Sequence, residues 1–175
     1  RPVTEEMVEH LLTLPFRSLA DIGTGSGCIA ITVACEKLGT TIIATDKDRQ
    51  ALRVAKHNAK KNHAKNITFL RGNLAEKILD PVDVIVANLP YLPEALETPP
   101  ELRYEPSKAL YGGKKGYELV FKLVAQITAK RLARKAIILE IDPQSIKTLE
   151  KHFLKHYTIA RFADDHFMVL RPRST

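Results

Sequence analysis

The chain has 175 residues, of which 45% are hydrophobic, so it is long enough to form one domain around a full core. Its formal net charge is +7, but the Lys and Arg residues are spread along the chain. The charge is therefore compatible with an RNA or ribosome-associated partner and equally with an ordinary solvated basic surface. No apolar run is long enough to span a bilayer and no secretory signal opens the sequence, which predicts a cytoplasmic protein without a membrane partner.

Two cysteines, Cys28 and Cys35, lie seven residues apart in one predicted helix. A disulfide at that spacing within a regular helix is geometrically implausible, and neither residue has neighbours of the kind that bind metals. We therefore predict two core thiols in a reducing compartment and no metal site.

Apolar segments of helical and strand length alternate along the chain. Helices are predicted over residues 5–14, 28–38, 48–62, 118–134 and 143–155, and strands over residues 18–22, 40–45, 67–71, 82–87, 136–141, 157–162 and 167–170. Thr4 is predicted to cap the first helix. The stretch 92–117, rich in proline and glycine, is predicted to be a long irregular segment, which inside a compact domain is usually functional or disordered.

The alternation predicts an α/β fold. Strands that are apolar over nearly their whole length are typical of a parallel sheet covered by helices on both faces. Only four residues separate the last two strands, too few for a crossover helix, so these two are predicted to form a terminal antiparallel hairpin. Ligands of such sheets bind outside the carboxyl ends of the strands, and polar or glycine-rich segments follow four of the strands at that edge.

A glycine turn follows the first strand. Gly23, Gly25 and Gly27 allow the backbone to approach a ligand closely. The helix that begins near Ser26 presents unpaired N–H groups to the same place. Asp21, at the end of the strand, suits a cationic ligand such as a sulfonium with an amino group better than it suits a pyrophosphate. The turn and Asp21 together predict one end of a nucleotide-like site.

Asp46 ends the second strand, 19 residues beyond the last turn glycine, where an acidic side chain accepts hydrogen bonds from both ribose hydroxyls. The alternative role for Asp46 is to cap the next helix, a role that Asp48 is equally placed to fill. After the third strand, Asn73 is predicted to offer its amide to the purine edge and Leu74 to pack on the ring. NAD is the rival ligand, but its third glycine falls one position later, where this sequence has Cys28.

The segment Asn88-Leu89-Pro90-Tyr91 leaves the fourth strand directly. Pro90 fixes its own φ and pushes Leu89 into an extended conformation, which gives the Leu89 carbonyl a defined direction. An –NH₂ group held between that carbonyl and the Asn88 side-chain carbonyl would donate both of its protons in hydrogen bonds. Its nitrogen lone pair would then be less tied into the amide or ring and would face the methyl group of a donor. Alignment of the reactants then supplies much of the rate, and no strong base is needed. Tyr91 would stack on the planar group.

We therefore assign catalysis to Asn88, Pro90 and Tyr91, and acceptor binding to these three residues with Leu89. The alternative is an ordinary strand-to-loop turn in which the asparagine caps backbone groups and the Pro-Tyr pair packs against the core. The acceptor role is favoured because the glycine turn and Asp46, the residue predicted to bind ribose, precede the segment.

Taken together, these residues resemble a known family. The run from Ala20 to Ile31, the Asn88–Tyr91 turn and the segment Arg103-Tyr104-Glu105-Pro106 are similar to the peptide chain release factor N5-glutamine methyltransferase family (HemK/PrmC). The opening residues 1–6 resemble that family's entry to its catalytic domain. The resemblance implies a Rossmann-like class I methyltransferase fold with a seven-stranded sheet in a three-layer αβα arrangement. It also implies S-adenosylmethionine as methyl donor and the glutamine of the Gly-Gly-Gln loop in translation release factors as acceptor.

The resemblance also assigns residues and a domain. It implies that the cofactor is bound by Gly23, Thr24, Gly25, Ser26, Gly27, Asp46, Leu74 and Asn88, and the glutamine by Asn88 to Tyr91. Residues 1–175 would form the catalytic domain. The small helical N-terminal domain that engages the release factor would be missing upstream.

The sequence departs from the family in three places. Leu89 stands where the family usually has proline, which keeps the backbone carbonyl but alters the acceptor pocket and loosens the turn. Asn73 stands where aspartate is common. Residues 142–145, Asp-Pro-Gln-Ser, replace the family's usual acidic-Gly-Gln-Gly stretch.

Two other functions stay open. Asn-Leu-Pro-Tyr is also carried by the ribosomal RNA adenine dimethyltransferases, so N6 methylation of RNA adenine is the second hypothesis. Asp21 and the pair Ile29-Ala30 differ from those enzymes at the glycine turn, and the segment 103–106 favours the glutamine enzymes. The third hypothesis, a non-catalytic S-adenosylmethionine-binding module, requires a broken acceptor turn, for which Leu89 gives the single indication.

Overall fold

A computed structural model describes residues 2–96 and 110–173, which contain five α-helices and nine strands. The helices are α1 (Pro2–Thr13), α2 (Cys28–Glu36), α3 (Arg49–Lys61), α4 (Glu118–Lys130) and α5 (Ile146–Phe153). The strands are β1 (Ser18–Ile22), β2 (Thr41–Asp46), β3 (Ile67–Arg71), β4 (Val82–Asn88), β5 (Leu92–Pro93), β6 (Tyr111–Gly113), β7 (Ala133–Glu140), β8 (Tyr157–Phe162) and β9 (Phe167–Pro172).

Seven of the strands form one sheet in the order β3-β2-β1-β4-β7-β9-β8. The pairs from β3 to β7 are parallel, whereas β9 is antiparallel to both β7 and β8. The predicted α/β fold with a seven-stranded, mostly parallel sheet and a terminal antiparallel hairpin is confirmed. β5 and β6 form a separate two-stranded parallel sheet.

The strand register brings the carboxyl ends of the parallel strands to one edge. Asp46 pairs with Arg71 at the ends of β2 and β3, and Asn88 pairs with Glu140 at the ends of β4 and β7. Ile22, the last residue of β1, lies between them, paired with both neighbouring strands. Polar side chains that are far apart in sequence therefore meet at this edge, as expected for the ligand-binding end of such a sheet.

Two hydrophobic clusters cover the two faces of the sheet. One contains the buried residues of α1 and α2, such as Leu11 and Val33, and the other contains those of α4 and α5, such as Leu123 and Leu149. These four side chains are at most 1% exposed, and each contributes roughly 1.5–3 kcal/mol to folding by its burial. The result is the predicted three-layer αβα arrangement.

Several predicted boundaries are wrong. α1 begins at Pro2 rather than after Thr4, because proline is well accommodated in a first helical turn. α4 ends at Lys130, since Arg131 adopts a left-handed φ of 51°, and β7 begins three residues earlier than predicted. The predicted irregular stretch 92–117 contains the short strands β5 and β6. Its segment 103–106 lies outside the described residues.

The predicted burial of the two cysteines is also wrong. Cys28 and Cys35 are both free and exposed. Their spacing of seven places them on one side of α2, whereas Ile29, Ala30 and Val33 occupy the buried side. The described residues contain no cluster of three or more His, Cys, Asp or Glu side chains that could hold a metal ion. Within the same residues, none of the helices combines the length and the apolar character that crossing a bilayer requires.

Candidate active site

A cleft of about 1250 Å³ opens at the carboxyl edge of the parallel strands. Segments that follow β1, β2, β3 and β4 all line it, so the structure brings together the four regions that the sequence singled out. The predicted site residues on its walls are Gly23, Thr24, Gly25, Ser26, Asp46, Asn73, Leu74, Asn88, Leu89, Pro90 and Tyr91. Two predicted cofactor-binding residues, Asp21 and Gly27, are not on the wall. Gly27 instead precedes α2 as its N-cap residue.

The glycine turn connects β1 to α2. Gly23, Gly25 and Gly27 have φ values of 75°, 56° and 86°, a region that glycine enters without strain. The Gly23 N–H donates to the Thr45 carbonyl at 2.8 Å, which ties the turn to the end of β2. A Cβ on Gly23 would approach Leu89 Cδ2 to 2.8 Å, whereas a Cβ on Gly25 would meet no atom closer than 4.0 Å. The turn therefore packs tightly on the side of Leu89 and stays open at its tip.

Asp46 connects the glycine turn to the start of α3. Its Oδ2 accepts from the Gly25 N–H at 2.9 Å and its Oδ1 accepts from the Asp48 N–H at 2.8 Å. Asp48 is the residue that caps α3, with its side chain accepting from the Gln50 N–H at 2.7 Å. Asp46 is therefore not the helix cap. Each carboxylate oxygen keeps a further lone pair that can accept a hydroxyl from a ligand in the cleft.

Asp21 lies beneath the glycine turn and not beside the ligand space. Its side chain is 1% exposed, and Oδ2 accepts from Thr24 Oγ1 at 2.7 Å and from the Ala30 N–H at 3.2 Å. Oδ1 has no hydrogen-bond partner among the described residues. Burial raises the pKa of this carboxyl from 3.8 to about 6, although the two hydrogen bonds oppose the shift and the charge of Asp46 adds to it. The predicted direct contact with a cationic ligand is replaced by support of the turn from below.

The raised pKa of Asp21 predicts a pH-dependent stability. Because the folded state binds the proton more tightly than the unfolded chain, stability should fall as the pH rises from about 4 to 6. Asp21→Asn keeps an acceptor for Thr24 and Ala30 but cannot ionise. At about 1.4 kcal/mol for each pH unit between the two pKa values, the variant should gain about 3 kcal/mol relative to the original chain between pH 4 and pH 7.

Urea unfolding at a series of pH values measures this gain. Asp80→Asn, which removes an exposed carboxylate, is the matched control. Unfolding free energies of the original chain and of Asp21→Asn that run parallel across the whole range would show that Asp21 does not titrate in this way.

Asn73 and Leu74, the residues predicted to contact adenine, both line the cleft. Asn73 is exposed on the cleft wall, and Leu74 has a left-handed φ of 55°, an uncommon conformation for a leucine. The Thr45 hydroxyl donates to the Leu74 carbonyl at 3.2 Å and helps to hold that conformation. The Leu74 side chain is 8% exposed and joins the core next to Ala75 and Ile78. It therefore forms a fixed apolar part of the wall.

The segment Asn88–Tyr91 forms the opposite wall. Asn88 Nδ2 donates to Thr4 Oγ1 at 3.1 Å. The carbonyls of Pro90 and Tyr91 lie so close to Gly112 and Gly116, respectively, that a Cβ on either glycine would collide with them. Leu89, predicted to loosen the turn, is 5% exposed and belongs to the core. The turn is thus held from two sides, by the core and by the two glycines.

Sequence reasoning missed two polar residues, Thr4 on this wall and Glu140 behind it. Thr4 lines the cleft, and its hydroxyl donates to Glu140 Oε2 at 2.8 Å. Thr4 was assigned to capping a helix, although it stands in the opening segment that resembled a known family. Glu140 is 2% exposed and ends β7. The available signal was a lone acidic residue at the end of an apolar strand, the pattern that identified Asp46.

The comparisons with known proteins agree on a group of enzymes. The model of the ribosomal protein L11 methyltransferase family (PrmA) matches residues 5–96. The release factor glutamine methyltransferase of Deinococcus radiodurans is 34% identical over 155 residues, which cover 85% of this chain and 55% of that protein. Its counterpart from Lactococcus lactis is 34% identical over 164 residues, 90% of this chain and 60% of that protein. The chain thus spans somewhat more than half the length of these curated relatives.

Solved structures agree on the fold. A ribosomal protein L11 methylase from Lactobacillus delbrueckii superposes with a TM-score of 0.70 at 20% identity, over 98% of this chain and 78% of that one. An rRNA methylase from Streptococcus thermophilus superposes with a TM-score of 0.64 at 14% identity, over 99% of this chain and 98% of that one. The fold is that of the class I methyltransferases, and the family model, which matches just over half of the chain, places it among the S-adenosylmethionine-dependent methyltransferases, with the release factor glutamine methyltransferases as its relatives.

Proposed function

We propose that the chain transfers a methyl group from S-adenosylmethionine to the side-chain amide nitrogen of a glutamine in the Gly-Gly-Gln loop of a translation release factor, in the cytoplasm. The observation that supports this most is the position of the Asn88–Tyr91 turn, which faces the same cleft as the glycine turn and Asp46. One cleft can therefore hold a nucleoside-type donor and a planar amide next to each other. Residues 1–175 would act as the catalytic domain.

The described residues fit the donor. S-adenosylmethionine supplies an electrophilic methyl group on a sulfonium when it is bound. The Asp46 carboxylate would accept the two ribose hydroxyls, since Gly25 and Asp48 leave lone pairs on both of its oxygens. Asn73 would meet the purine edge and Leu74 would pack on the ring. The open tip of the glycine turn would accommodate the amino acid end of the donor.

The Asn88–Tyr91 turn fits the acceptor. Asn88 Oδ1 and the Leu89 carbonyl would accept the two N–H bonds of the glutamine amide, leaving the nitrogen lone pair directed at the methyl group. As the N–C bond forms and the S–C bond breaks, positive charge develops on the amide nitrogen, and the two carbonyl dipoles stabilise it. The proton leaves the nitrogen after transfer, so alignment matters more than a strong base. Tyr91 would form the side of the pocket that packs against the planar amide.

The identity of the acceptor rests on the relatives. The two curated relatives are named for the release factor glutamine that they methylate, whereas the matching family model is named for a different protein substrate, ribosomal protein L11. The relatives are longer than this chain, so the substrate is a proposal for it. Both names describe methylation of a protein of the translation machinery.

A side-by-side transfer assay tests the proposal. The chain is incubated with methyl-labelled S-adenosylmethionine and either a bacterial release factor, the same factor with its Gly-Gly-Gln glutamine replaced by alanine, or ribosomal RNA. Label should appear on the intact release factor and on neither of the others. Label on RNA alone would overturn the proposal in favour of adenine methylation, and cofactor binding without any transfer would favour a non-catalytic binding module.

One structural feature supports RNA as the second candidate acceptor. Helix α3 carries Arg49, Arg53, Lys56 and Lys60 along one exposed side, contains no acidic residue, and starts at the cleft. None of these four side chains forms a salt bridge within residues 2–96 and 110–173. A row of cationic side chains without salt-bridge partners suits a phosphate backbone. The ribosomal RNA sample in the transfer assay tests whether RNA is the acceptor.

A further inference from the structure

A chain of hydrogen bonds links three elements behind the acceptor wall. The Thr4 hydroxyl in α1 donates to Glu140 Oε2 at the end of β7, at 2.8 Å. The same hydroxyl oxygen accepts from Asn88 Nδ2 at the end of β4, at 3.1 Å. Glu140 is 2% exposed, so this carboxylate is a buried partner and not a surface one. Thr4 is 136 positions from Glu140 and 84 positions from Asn88 in sequence. The two hydrogen bonds therefore connect distant parts of the chain to the proposed acceptor clamp, which consists of Asn88 Oδ1 and the Leu89 carbonyl.

The direction of these bonds determines how the Asn88 carboxamide is turned. The Thr4 hydroxyl has a single proton, which it donates to Glu140 Oε2. The Thr4 oxygen can then only accept, and the Asn88 atom that faces it has to be the donor, Nδ2. Asn88 Oδ1 is directed away from Thr4, and no donor from the described residues bonds to it. The buried carboxylate thus selects one of the two amide orientations.

We propose that Thr4 and Glu140 are positioning residues that set the Asn88 amide with its oxygen toward the acceptor nitrogen. This inference rests on the proposed function, in which Asn88 Oδ1 accepts a proton of the glutamine –NH₂. The opposite orientation would set the Asn88 –NH₂ against the acceptor –NH₂, two donors face to face, and the clamp would be lost. Neither Thr4 nor Glu140 needs to touch the reacting atoms for this role.

Thr4→Val and Thr4→Ser test the role directly. Valine has nearly the shape of threonine but no hydroxyl, whereas serine keeps the hydroxyl and loses only a methyl group. The kcat for methyl transfer to the release factor should fall about tenfold in Thr4→Val, the effect expected for one lost hydrogen bond, and recover in Thr4→Ser. The Kd for S-adenosylmethionine should stay close to that of the original chain in both variants.

A purely structural role of Thr4 would give a different pattern. Val8→Ala removes two methyl groups from the buried side of α1 and serves as the packing control. It should lower the melting temperature without lowering kcat. If Thr4→Val affects kcat no more than Val8→Ala does, or if Thr4→Ser fails to restore it, the positioning role is overturned.

A spectroscopic readout separates this inference from the proposed function. The Asn88 side-chain –NH₂ signal is assigned in a ¹⁵N spectrum by its loss in Asn88→Asp. Its protons should exchange slowly with solvent in the original chain and in Thr4→Ser, and rapidly in Thr4→Val. Equal exchange in all three proteins would sink the inference. Absence of transfer by the original chain would instead sink the proposed function, whatever the exchange rates are.

Discussion

Methyl transfer to a glutamine acceptor should slow about a thousandfold when Asn88 is replaced by alanine, the upper range for removing one preorganised group that stabilises developing charge. Alanine leaves one proton of the acceptor amide without its carbonyl partner and frees the amide to rotate out of line. The affinity for S-adenosylmethionine should change little by comparison, because Asp46 and the glycine turn remain. Single-turnover kinetics with saturating donor and calorimetric titration of the donor measure the two quantities separately.

Asn66→Ala provides the matched control for this experiment. Asn66 precedes β3 at the opposite edge of the sheet, where its side chain donates to the Thr40 carbonyl at 2.7 Å. The substitution removes the same chemical group far from the cleft, so it should change stability and not the transfer rate. An Asn88→Ala variant that keeps near-normal turnover would eliminate the acceptor clamp.

Asp46→Ala should weaken the binding of S-adenosylmethionine about a hundredfold, because two hydrogen bonds from ribose hydroxyls to a carboxylate are lost. The substitution also releases the Gly25 N–H and the Asp48 N–H that Asp46 holds in place. The glycine turn then has to be ordered during binding, at an added entropic cost. Isothermal titration calorimetry measures the change in Kd directly.

The control for Asp46→Ala is Asp48→Asn. Asparagine caps a helix as well as aspartate does, so α3 keeps its first turn while a neighbouring negative charge is removed. If Asp48→Asn weakens donor binding as much as Asp46→Ala does, the effect is one of charge at this edge and the ribose assignment is wrong.

Much of the fold could be predicted because periodicity and length suffice for it. The continuous apolar character of segments such as 82–87 indicated parallel strands, and the short spacing between the last two strands required a hairpin. Helix boundaries were less predictable. α1 begins at Pro2, and the Thr4 hydroxyl, expected to cap the helix, bonds instead to Glu140 in another part of the chain.

The site residues were predictable where a residue type, such as glycine or aspartate, has one usual role at the end of a strand. The glycines and Asp46 follow strands directly, so sequence order alone places them at the ligand-binding edge. Asp21 follows the same rule, but its burial by α2 and its bonds to Thr24 and Ala30 depend on packing. Cys28 was misjudged for a related reason, since an almost wholly apolar helix conceals which of its sides faces the core.

The position of β9 has a consequence for how the enzyme is made. β9 lies between β7 and β8 in the sheet although it follows both along the chain. During synthesis β7 therefore waits as an unpaired edge until β9 has emerged, while Glu140 stays without its neighbour Phe167. The hydrogen bond between Thr4 and Glu140 spans 136 positions of the chain, so it can form only after β7 has joined the sheet. A polypeptide interrupted before the end of β7 would carry the glycine turn and Asp46 but not Glu140, so the Thr4 hydroxyl would lack its acceptor.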